Sequence, residues 1–575
     1  MKMTRRIITL LLALVMVLSM SATVFADESD ATSESHNYVN GFCSDCGAYE
    51  PATEVTEDNY AELGLGSGYV GYYAVGNAGQ LYWYEDMVFN AHSRFYSSKM
   101  VLTKNITVNE GTITAGSSNV RTWNSLATFD GIIDGNGHSI SGLYCVNEDP
   151  YHCVGLMTVL MSDGVVKNLT ITNSYFSGAY KVGGIVGDNT GTVSGCVNNA
   201  TVESDDGMPV GGIAGYNEGT VSGCTNKSAI SGYSDIGGIA GYNVGTVKYS
   251  NNFGAIQGSW NNVGGIVGYN ESLISSCGNN VAIKADQKVG GITGVNCGTV
   301  ELCGNGGNIT AVNQLAGGIV GDQQGVVTSC WNTSEIKAGQ YAAGGIAGFV
   351  GKPDTTPAPV ENCWSTGKVT CDGGKTAGGL IGKGMGSLTV RNCYTTMDVA
   401  IGEKETTGGT PNISKVETKT REQFASGEVT YLLGGVWGQN IDNGETVQTI
   451  PVFSKATVYQ IEADGRVVGY SNDPNADPNN FAPATEPEET QSEETQPEET
   501  EPTGTEPEGT EPEETTPKDA KPKESKPKDE TAVDPQSSAD DNGSTVIYII
   551  GGILGASALT AAILLVIKYL KRSAG

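Results

Sequence analysis

Residues 211–226 read GGIAGYNEGTVSGCTN, and residues 237–252 repeat the pattern as GGIAGYNVGTVKYSNN. The pair Gly-Gly followed by Ile or Leu recurs along the chain, with its first glycine at positions 183, 211, 237, 264, 290, 317, 344 and 378. Successive copies are 28, 26, 27, 26, 27, 27 and 34 residues apart. A period near 27 residues over these copies is typical of a solenoid, in which each repeat packs on its neighbours.

Aligned copies share three columns, each of one chemical type. The first column is β-branched and holds Val193, Val221, Val247, Ile274, Val300, Val327, Val360 and Val390. Three residues later, a thiol column holds Cys196, Cys224, Cys277, Cys303, Cys330, Cys363 and Cys393, with Ser250 in the remaining copy. Two residues further, an amide column holds Asn198, Asn226, Asn252, Asn279, Asn305 and Asn332. Positions an even number of residues apart lie on one face of a strand, and Asn-x-Gly turns separate the short apolar segments. The sequence therefore predicts an all-β parallel β-helix whose ~27-residue turns stack at ~4.8 Å, with identical side chains above one another. A leucine-rich repeat has a similar period, but its leucine spacing is absent.

The charge balance excludes one class of partner. The chain of 575 residues has 64 acidic and 33 basic side chains, a net charge of −31 at pH 7. Because there is no basic patch to neutralise phosphates, a nucleic-acid partner is excluded. No cofactor is predicted, and the 4 histidines leave little material for metal or acid–base chemistry.

The two ends of the chain predict an anchored extracellular protein. Residues 1–26 have a basic start, an apolar run and small residues at the end, which is typical of a signal peptide. Residues 545–567 are predicted as a transmembrane helix, since Val546–Ile567 is uncharged, and basic residues in 568–575 place that tail in the cytoplasm. Between them we expect a Cys-containing segment (27–56), an N-terminal cap (57–152) with a short helix near Ala78–Ala91, the β-helix (153–400), a C-terminal cap (401–470) and a disordered stalk rich in Pro, Glu and Thr (471–544).

Three stretches resemble a known family. They are the repeat at 211–226, the lead-in FDGIIDGNGHSISGL at 129–143 and the segment REQFASGEVTYLLGGVW at 421–437, and together they resemble the GLUG-repeat secreted or surface proteins of Gram-positive bacteria. The resemblance implies a right-handed β-helix on a cell surface, which serves in some proteins as an adhesin or a non-catalytic module. Some IgA-directed zinc metallopeptidases carry similar repeats, but this chain lacks their His-Glu-x-x-His motif, so protease activity does not carry over.

The cysteines fall into three groups. Those of the repeat column are predicted to be reduced structural thiols, because ~4.8 Å between stacked neighbours exceeds the spacing that a disulfide prefers. Cys145 and Cys153 flank a turn, and a disulfide between them is left open. His36, Cys43 and Cys46 supply part of a zinc ligand set, so either a partial zinc site or a local Cys43–Cys46 disulfide fits.

Aromatic residues give the candidate binding positions. Tyr216, Tyr242 and Tyr269 share one column, in which other copies carry Asp188, Asp322 or Lys383, so the column is expected to face outward. A second row consists of Trp331, Trp364 and Tyr394, which directly follow a column cysteine. Stacked exposed rings could hold sugars by face contact; the alternative is that Trp331, Trp364 and Tyr394 pack beneath residues 400–470.

These features favour a membrane-anchored bacterial surface protein that binds an extracellular glycan or protein in an adhesin-like manner, without catalysis. A glycan-cleaving β-helix enzyme and a cell-envelope scaffold are the alternatives. Asp130 and Asp134 are the acids that an enzyme could use, but each precedes a glycine, which is typical of a turn.

Overall fold

The computed structural model describes residues 36–90, 95–205, 207–351, 359–372, 376–386, 388–405 and 410–425, with short further segments up to residue 483. All of them lie in the first of the two units into which the chain divides, Met1–Thr490 and Gln491–Gly575. The fold is all-β, with a parallel β-solenoid of about 12 turns and few helices. The predicted parallel β-helix is confirmed.

Three parallel sheets form the walls of the solenoid, and each turn adds one short strand or more to them. Sheet 1 contains Cys153–Val154, Tyr180–Gly183, Met208–Gly211, Ile236–Gly237, Val263–Gly264, Lys288–Gly290, Leu315–Gly317, Ala342–Gly344 and Thr376–Gly378. Sheet 2 contains Met157–Leu160, Val186–Asn189, Ala214–Asn217, Ala240–Asn243, Val267–Asn270, Thr293–Asn296, Val320–Gln323, Ala347–Val350, Ile381–Met385 and Ile401–Glu405.

Sheet 3 is the largest and is bent, so that its strands form three successive columns. The first contains Tyr73–Val75, Lys99–Leu102, Ile132–Asp134, Val165–Lys167, Thr192–Ser194, Thr220–Ser222, Thr246–Lys248, Leu273–Ser275, Thr299–Glu301, Val326–Thr328, Pro359–Glu361, Thr389–Thr395 and Asn412–Thr418, with Thr53–Glu54 antiparallel to its first strand. The second contains Ile106–Thr107, Ser139–Ser141, Thr170–Gly178, Val197–Glu203, Thr225–Asn226, Asn251–Asn252, Gly278–Asn279, Gly304–Asn305, Trp331–Asn332 and Trp364–Ser365. The third contains Tyr144–Asn147, Ile230–Gly232, Ile256–Gly258, Ile283–Ala285, Ile309–Ala311, Ile336–Ala338 and Val369–Cys371.

The repeat signature marks the corner between sheets 1 and 2. A Cβ atom at Gly212 would lie 2.2 Å from the carbonyl oxygen of Gly238 on the next turn and 2.7 Å from Cγ of Asn226. Only glycine fits where two turns approach this closely. The Ile that follows, such as Ile213, is fully buried and belongs to the single core that runs along the solenoid.

Two buried ladders of amide side chains run along the solenoid, of which the sequence predicted one. In the predicted ladder, Nδ2 of Asn226 donates to Oδ1 of Asn252 at 2.8 Å, and the series continues to Asn332. The second ladder links the strand ends of sheet 2 from Asn189 to Gln323 at 2.7–2.9 Å. Because Asn-x-Gly is a turn signal, the sequence indicates turns at Asn189, Asn217, Asn243 and Asn296; in the structure all side chains of the second ladder are fully buried cross-turn partners.

The solenoid begins earlier than the predicted boundary at residue 153. The strands Tyr73–Val75, Lys99–Leu102 and Ile132–Asp134 already pair in parallel with one another, and the last of them pairs with Val165–Lys167. These first turns lack the Gly-Gly signature because sheet 1, whose corner requires it, starts only at Cys153. Likewise, Ile401–Glu405 and Asn412–Thr418 continue the stack beyond the predicted end at residue 400.

Helices α1 (Ala78–Asn90) and α2 (Arg421–Ala425) accompany the two ends, along with a 3₁₀ turn at Ser67–Tyr69. The predicted helix near 78–91 is therefore confirmed, and its Leu81 and Tyr84 are fully buried. A hairpin of Tyr38–Val39 and Phe42–Cys43 precedes the solenoid. Four antiparallel strands follow it, at Ile450–Pro451, Val458–Ile461, Val467–Ser471 and Ala482–Pro483, so two of them reach into the segment predicted as stalk.

The predicted signal peptide at 1–26, the stalk beyond residue 483, the transmembrane helix at 545–567 and the tail at 568–575 lie outside the described residues. Within the described ranges, no helix has the length and apolar character that a membrane crossing needs.

Candidate functional site

The tyrosine row lies on sheet 2, at consecutive turns. Tyr216 pairs in register with Tyr242, and Tyr242 with Tyr269. The rings of Tyr216 and Tyr242 are stacked with centroids 5.3 Å apart, and those of Tyr242 and Tyr269 with centroids 4.9 Å apart. All three side chains are half-buried, as expected for an outward column.

The ring faces of the row are occupied by contacts within the protein. Nζ of Lys181 lies 4.1 Å from the ring centroid of Tyr216, while both faces of Tyr242 meet a neighbouring tyrosine. The hydroxyl of Tyr242 donates to Glu271 at 2.6 Å, and burial together with this carboxylate raises the pKa of Tyr242. A sugar can therefore reach ring edges and hydroxyl groups along the row, but it cannot stack on the face of Tyr242.

A second aromatic pair, which sequence reasoning missed, is more open. Tyr233 and Trp260 lie on successive turns, in the loops that lead into sheet 1, and are 40% and 45% exposed. Their rings are parallel within 1°, with centroids 6.2 Å apart. The pair gave no column signal because the loops around it differ in length and residue type from turn to turn. The available clue was that Tyr233 and Trp260 each stand three residues before a strand of sheet 1.

The pair lies near the row. Lys181 contacts the ring of Tyr216 and directly precedes Val182 of sheet 1, and Asp235 and Asn262 hold the same position before Ile236 and Val263 on later turns. Tyr233 precedes Asp235 by two residues, which span at most about 7 Å of extended chain. We therefore call the residues Tyr216, Tyr233, Tyr242, Trp260 and Tyr269 the aromatic face.

Polar groups border the aromatic face. Nδ2 of Asn262 donates to Oδ1 of Asp235 at 2.7 Å, and burial raises the pKa of Asp235. At one end, Nζ of Lys181 forms an ion pair with Asp188 at 2.5 Å. Apolar rings beside carboxylate and amide groups suit a ligand that has both C–H surfaces and hydroxyl groups.

The second predicted aromatic row is not a surface row. Trp331 is 6% exposed, and Trp364 and Tyr394 are 2% exposed, so the expectation of exposed rings is wrong for these residues. Trp364 is covered as in the alternative interpretation, since Phe424 of α2 lies against it with centroids 5.7 Å apart, and Trp331 stacks on Trp364 with centroids 5.9 Å apart. A Cβ at Gly304 would be 2.0 Å from the Trp331 indole, so that glycine makes room for the ring. The available sign of burial in the sequence was Gly304, which stands one turn before Trp331 in the same column.

The His36–Cys43–Cys46 cluster is brought together by the N-terminal hairpin. Nδ1 of His36 lies 3.4 Å from Sγ of Cys43 and 3.5 Å from Sγ of Cys46, and the three ligand atoms all lie within 4.8 Å of one another. Hydrogen bonds from the backbone and thiol of Cys46, the backbone of Asp45 and the ring of His36 lower the pKa of Cys43 to about 6. A thiol with this pKa is mostly ionised at pH 7 and can act as a metal ligand or a nucleophile.

The repeat cysteines occupy fully buried positions. They also satisfy polar backbone groups, because the backbone N–H of Cys277 donates to Sγ of Cys303 and that of Cys330 to Sγ of Cys363, each at 3.4 Å. Burial raises the pKa of Cys277, Cys303 and Cys330 well above its usual value. Such thiols are inert as nucleophiles and metal ligands. Their reduced state stays a prediction.

The remaining candidates have contacts typical of structural residues. Asp134 is buried, accepts from the backbone N–H of Asn136 at 2.9 Å and pairs with Lys167 at 3.2 Å. Asp130 accepts from the backbone N–H of Asp163 at 3.1 Å. Cys145 and Cys153 are free thiols here, and burial raises the pKa of each to about 11.

Comparisons with known proteins yield short or distant matches. No family model matches the chain. Halomucin of Haloquadratum walsbyi is 38% identical over 78 residues, 14% of this chain and 1% of halomucin. A protein described as a candidate Gly-rich membrane protein of Evansella cellulosilytica is 35% identical over 75 residues, 13% of this chain and 8% of that protein. The matched segments are thus a small part of both relatives.

Among solved structures, the chain is similar to one described as a candidate immunoglobulin A1 protease from Bacteroides ovatus. The sequence identity is 17% and the TM-score 0.31, over 64% of this chain and 89% of the other. The resemblance to GLUG-repeat proteins stays a prediction.

Proposed function

We propose that this protein is a membrane-anchored surface protein of the GLUG-repeat type, whose β-helix binds an extracellular glycan through the aromatic face. The observation that carries the proposal is the exposed, parallel Tyr233–Trp260 pair beside the half-buried tyrosine row. Exposed apolar groups bordered by polar ones are common at binding sites. In this proposal the aromatic face lies outside the cell, as the predicted signal peptide and transmembrane helix would require.

Each part of the aromatic face has its own role in this proposal. The open rings of Tyr233 and Trp260 contact the C–H surface of a sugar. The row keeps its shape by stacking and offers ring edges, while Glu271, Asp235 and Asn262 lie where hydroxyl groups of the sugar can be bound. Binding needs no catalytic acid, and Asp134, the buried candidate, is engaged by Lys167.

Glycan arrays and calorimetry with the full chain test the proposal. We expect an oligosaccharide to bind, and Trp260→Ala to weaken its affinity at least tenfold, about 1.4 kcal/mol, because the open ring is removed. Phe253→Ala is the matched control, because Phe253 is 49% exposed but directly follows the strand Asn251–Asn252 of sheet 3. The Phe253→Ala variant should bind the oligosaccharide as the wild type does.

Three outcomes would contradict the proposal. Absence of any glycan binding would favour the scaffold alternative, and release of shortened oligosaccharides would favour the glycan-cleaving enzyme. Equal affinity in the wild type and Trp260→Ala would remove the aromatic face from recognition.

Tyr242→Ala is expected to lower the melting temperature, since stacked pairs contribute about 0.5–1.5 kcal/mol each.

A further inference from the structure

A local sequence motif builds the His36–Cys43–Cys46 cluster. The strands Tyr38–Val39 and Phe42–Cys43 are joined by Asn40-Gly41, and both turn residues have positive φ, +49° and +79°. Asn-Gly is the preferred sequence for this tight hairpin turn. The register pairs Tyr38 with Cys43, and the backbone N–H of Ser44 donates to the carbonyl of Asn37 at 3.0 Å, so the segment leading from His36 runs alongside Cys43.

The second turn presents both thiols on one side. The backbone N–H of Gly47 donates to the carbonyl of Cys43 at 2.9 Å, and Gly47 itself has a φ of +76°. The turn thereby brings Sγ of Cys43 and Sγ of Cys46 within 4.8 Å of each other.

The spacing of the ligand atoms matches a tetrahedral ion. Bond lengths of about 2.3 Å for Zn–S and about 2.0 Å for Zn–N place a sulfur and a nitrogen about 3.5 Å apart. The two distances from Nδ1 of His36 are 3.4 Å to Cys43 and 3.5 Å to Cys46. Two thiolates and an imidazole favour a borderline-soft cation, of which zinc is the common case outside redox enzymes.

The hairpin lies against the N-terminal end of the solenoid. The backbone N–H of Gly79 in α1 donates to the carbonyl of Asn40 at 3.0 Å. The ring of Phe42 packs against Tyr82 with centroids 5.8 Å apart, and the guanidinium of Arg121 lies 3.7 Å from its centroid. An interaction that stabilises the hairpin therefore also stabilises the N-terminal end of the solenoid.

We propose that His36, Cys43 and Cys46 bind one zinc ion with an open fourth position, and that this ion fastens the N-terminal hairpin onto the solenoid. In the part of the chain that the structure describes, these are the three side chains whose ligand atoms lie close enough together to hold one ion. Water or an external ligand takes the fourth position, because His36 and Cys46 are exposed. Binding releases the protons of any thiols still protonated, and no redox step is involved.

The test uses the full chain, purified with a phosphine reductant and titrated with Co²⁺ as a coloured substitute for zinc. We expect one Co²⁺ per chain, thiolate-to-metal charge-transfer absorption and displacement by Zn²⁺. His36→Ala and Cys46→Ser should each weaken binding at least tenfold. Cys297→Ser, which removes a half-buried thiol elsewhere, and Asp45→Asn, which alters the same turn, should bind as the wild type does.

Metal content and thiol state complete the test. Chain isolated from the producing cells without added metal should contain about one zinc per molecule by elemental mass spectrometry, and the metal should raise the melting temperature. A Cys43–Cys46 disulfide in that material would overturn the proposal. Undiminished Co²⁺ binding in Cys46→Ser, or absence of charge-transfer absorption in the wild type, would do so as well.

Discussion

At the scale of single residues, the bend before the thiol column, whose positions are cysteines and Ser250, shows how tightly the stack constrains the backbone. The residue at this position has positive φ in every copy: Gly195, Gly223, Tyr249, Ser276, Leu302, Ser329, Asn362 and Asn392. Left-handed backbone costs residues other than Gly, Asn and Asp about 1–2 kcal/mol. Leu302, with a φ of +54°, therefore holds an unfavourable conformation that its neighbours in the stack impose.

Replacing Leu302 by asparagine should stabilise the protein. Asparagine occupies the same bend at Asn362 and Asn392, so Leu302→Asn is expected to raise the free energy of unfolding by about 1 kcal/mol and the melting temperature by about 2 °C. Leu273→Asn is the matched control, because Leu273 is also half-buried but lies within the strand Leu273–Ser275, and there the change should destabilise. A lower melting temperature for Leu302→Asn would show that its apolar contacts outweigh the strain.

At the scale of elements, the ladders hold the turns in register. Asn252 lies at the centre of the sheet-3 ladder, where it accepts from Asn226 at 2.8 Å and donates to Asn279 at 3.1 Å. It also donates to the carbonyl of Gly254 at 3.0 Å and accepts from its N–H at 3.2 Å. Each buried polar group left without a partner costs about 1–3 kcal/mol.

Asn252→Ala should therefore destabilise the protein by about 3 kcal/mol, as measured by denaturant unfolding. Asn252→Ser should cost less, because Ser365 ends the same ladder by accepting from Asn332 at 3.3 Å. Asn199→Ala serves as the control, since Asn199 is exposed and a surface change costs within about 0.5 kcal/mol. Equal stability of Asn252→Ala and Asn199→Ala would mean that the ladder contributes nothing.

The elements also explain what the sequence could predict. The period, the buried Val and Ile column and one amide ladder followed from positions that recur in most copies of the repeat, such as Val221 and Asn226. What depends on neighbours in space did not: the side chain of Asn217 lies inside although its sequence indicates a turn, and Trp364 is covered by Phe424, 60 residues further along the chain. Tyr233 and Trp260 were missed because they lie in loops, where the repeat is not kept.

At the scale of the whole molecule, a stack of turns needs protected ends. Open strand edges can pair with other chains, and proteins usually cover them. Here α1 buries Leu81 and Tyr84 at the first turns, and Phe424 lies against Trp364 near the last ones. The aromatic face lies on the side of the stack between these ends, and the proposed zinc site lies at the N-terminal end. The proposed recognition surface and the protected ends thus lie on separate parts of the solenoid.

The anchor is the prediction that decides where this molecule works. Val546–Ile567 has 22 uncharged residues, about 33 Å of helix at ~1.5 Å per residue, enough to cross a bilayer, and Lys568, Lys571 and Arg572 follow it. Deleting residues 546–575 should release the protein into the medium, as measured by fractionating cells and medium. Deleting only 568–575 is the control, since the apolar segment predicted to span the membrane remains and the protein should stay with the membranes. If the longer deletion also leaves the protein in the membrane fraction, another segment anchors it, and the proposed topology is wrong.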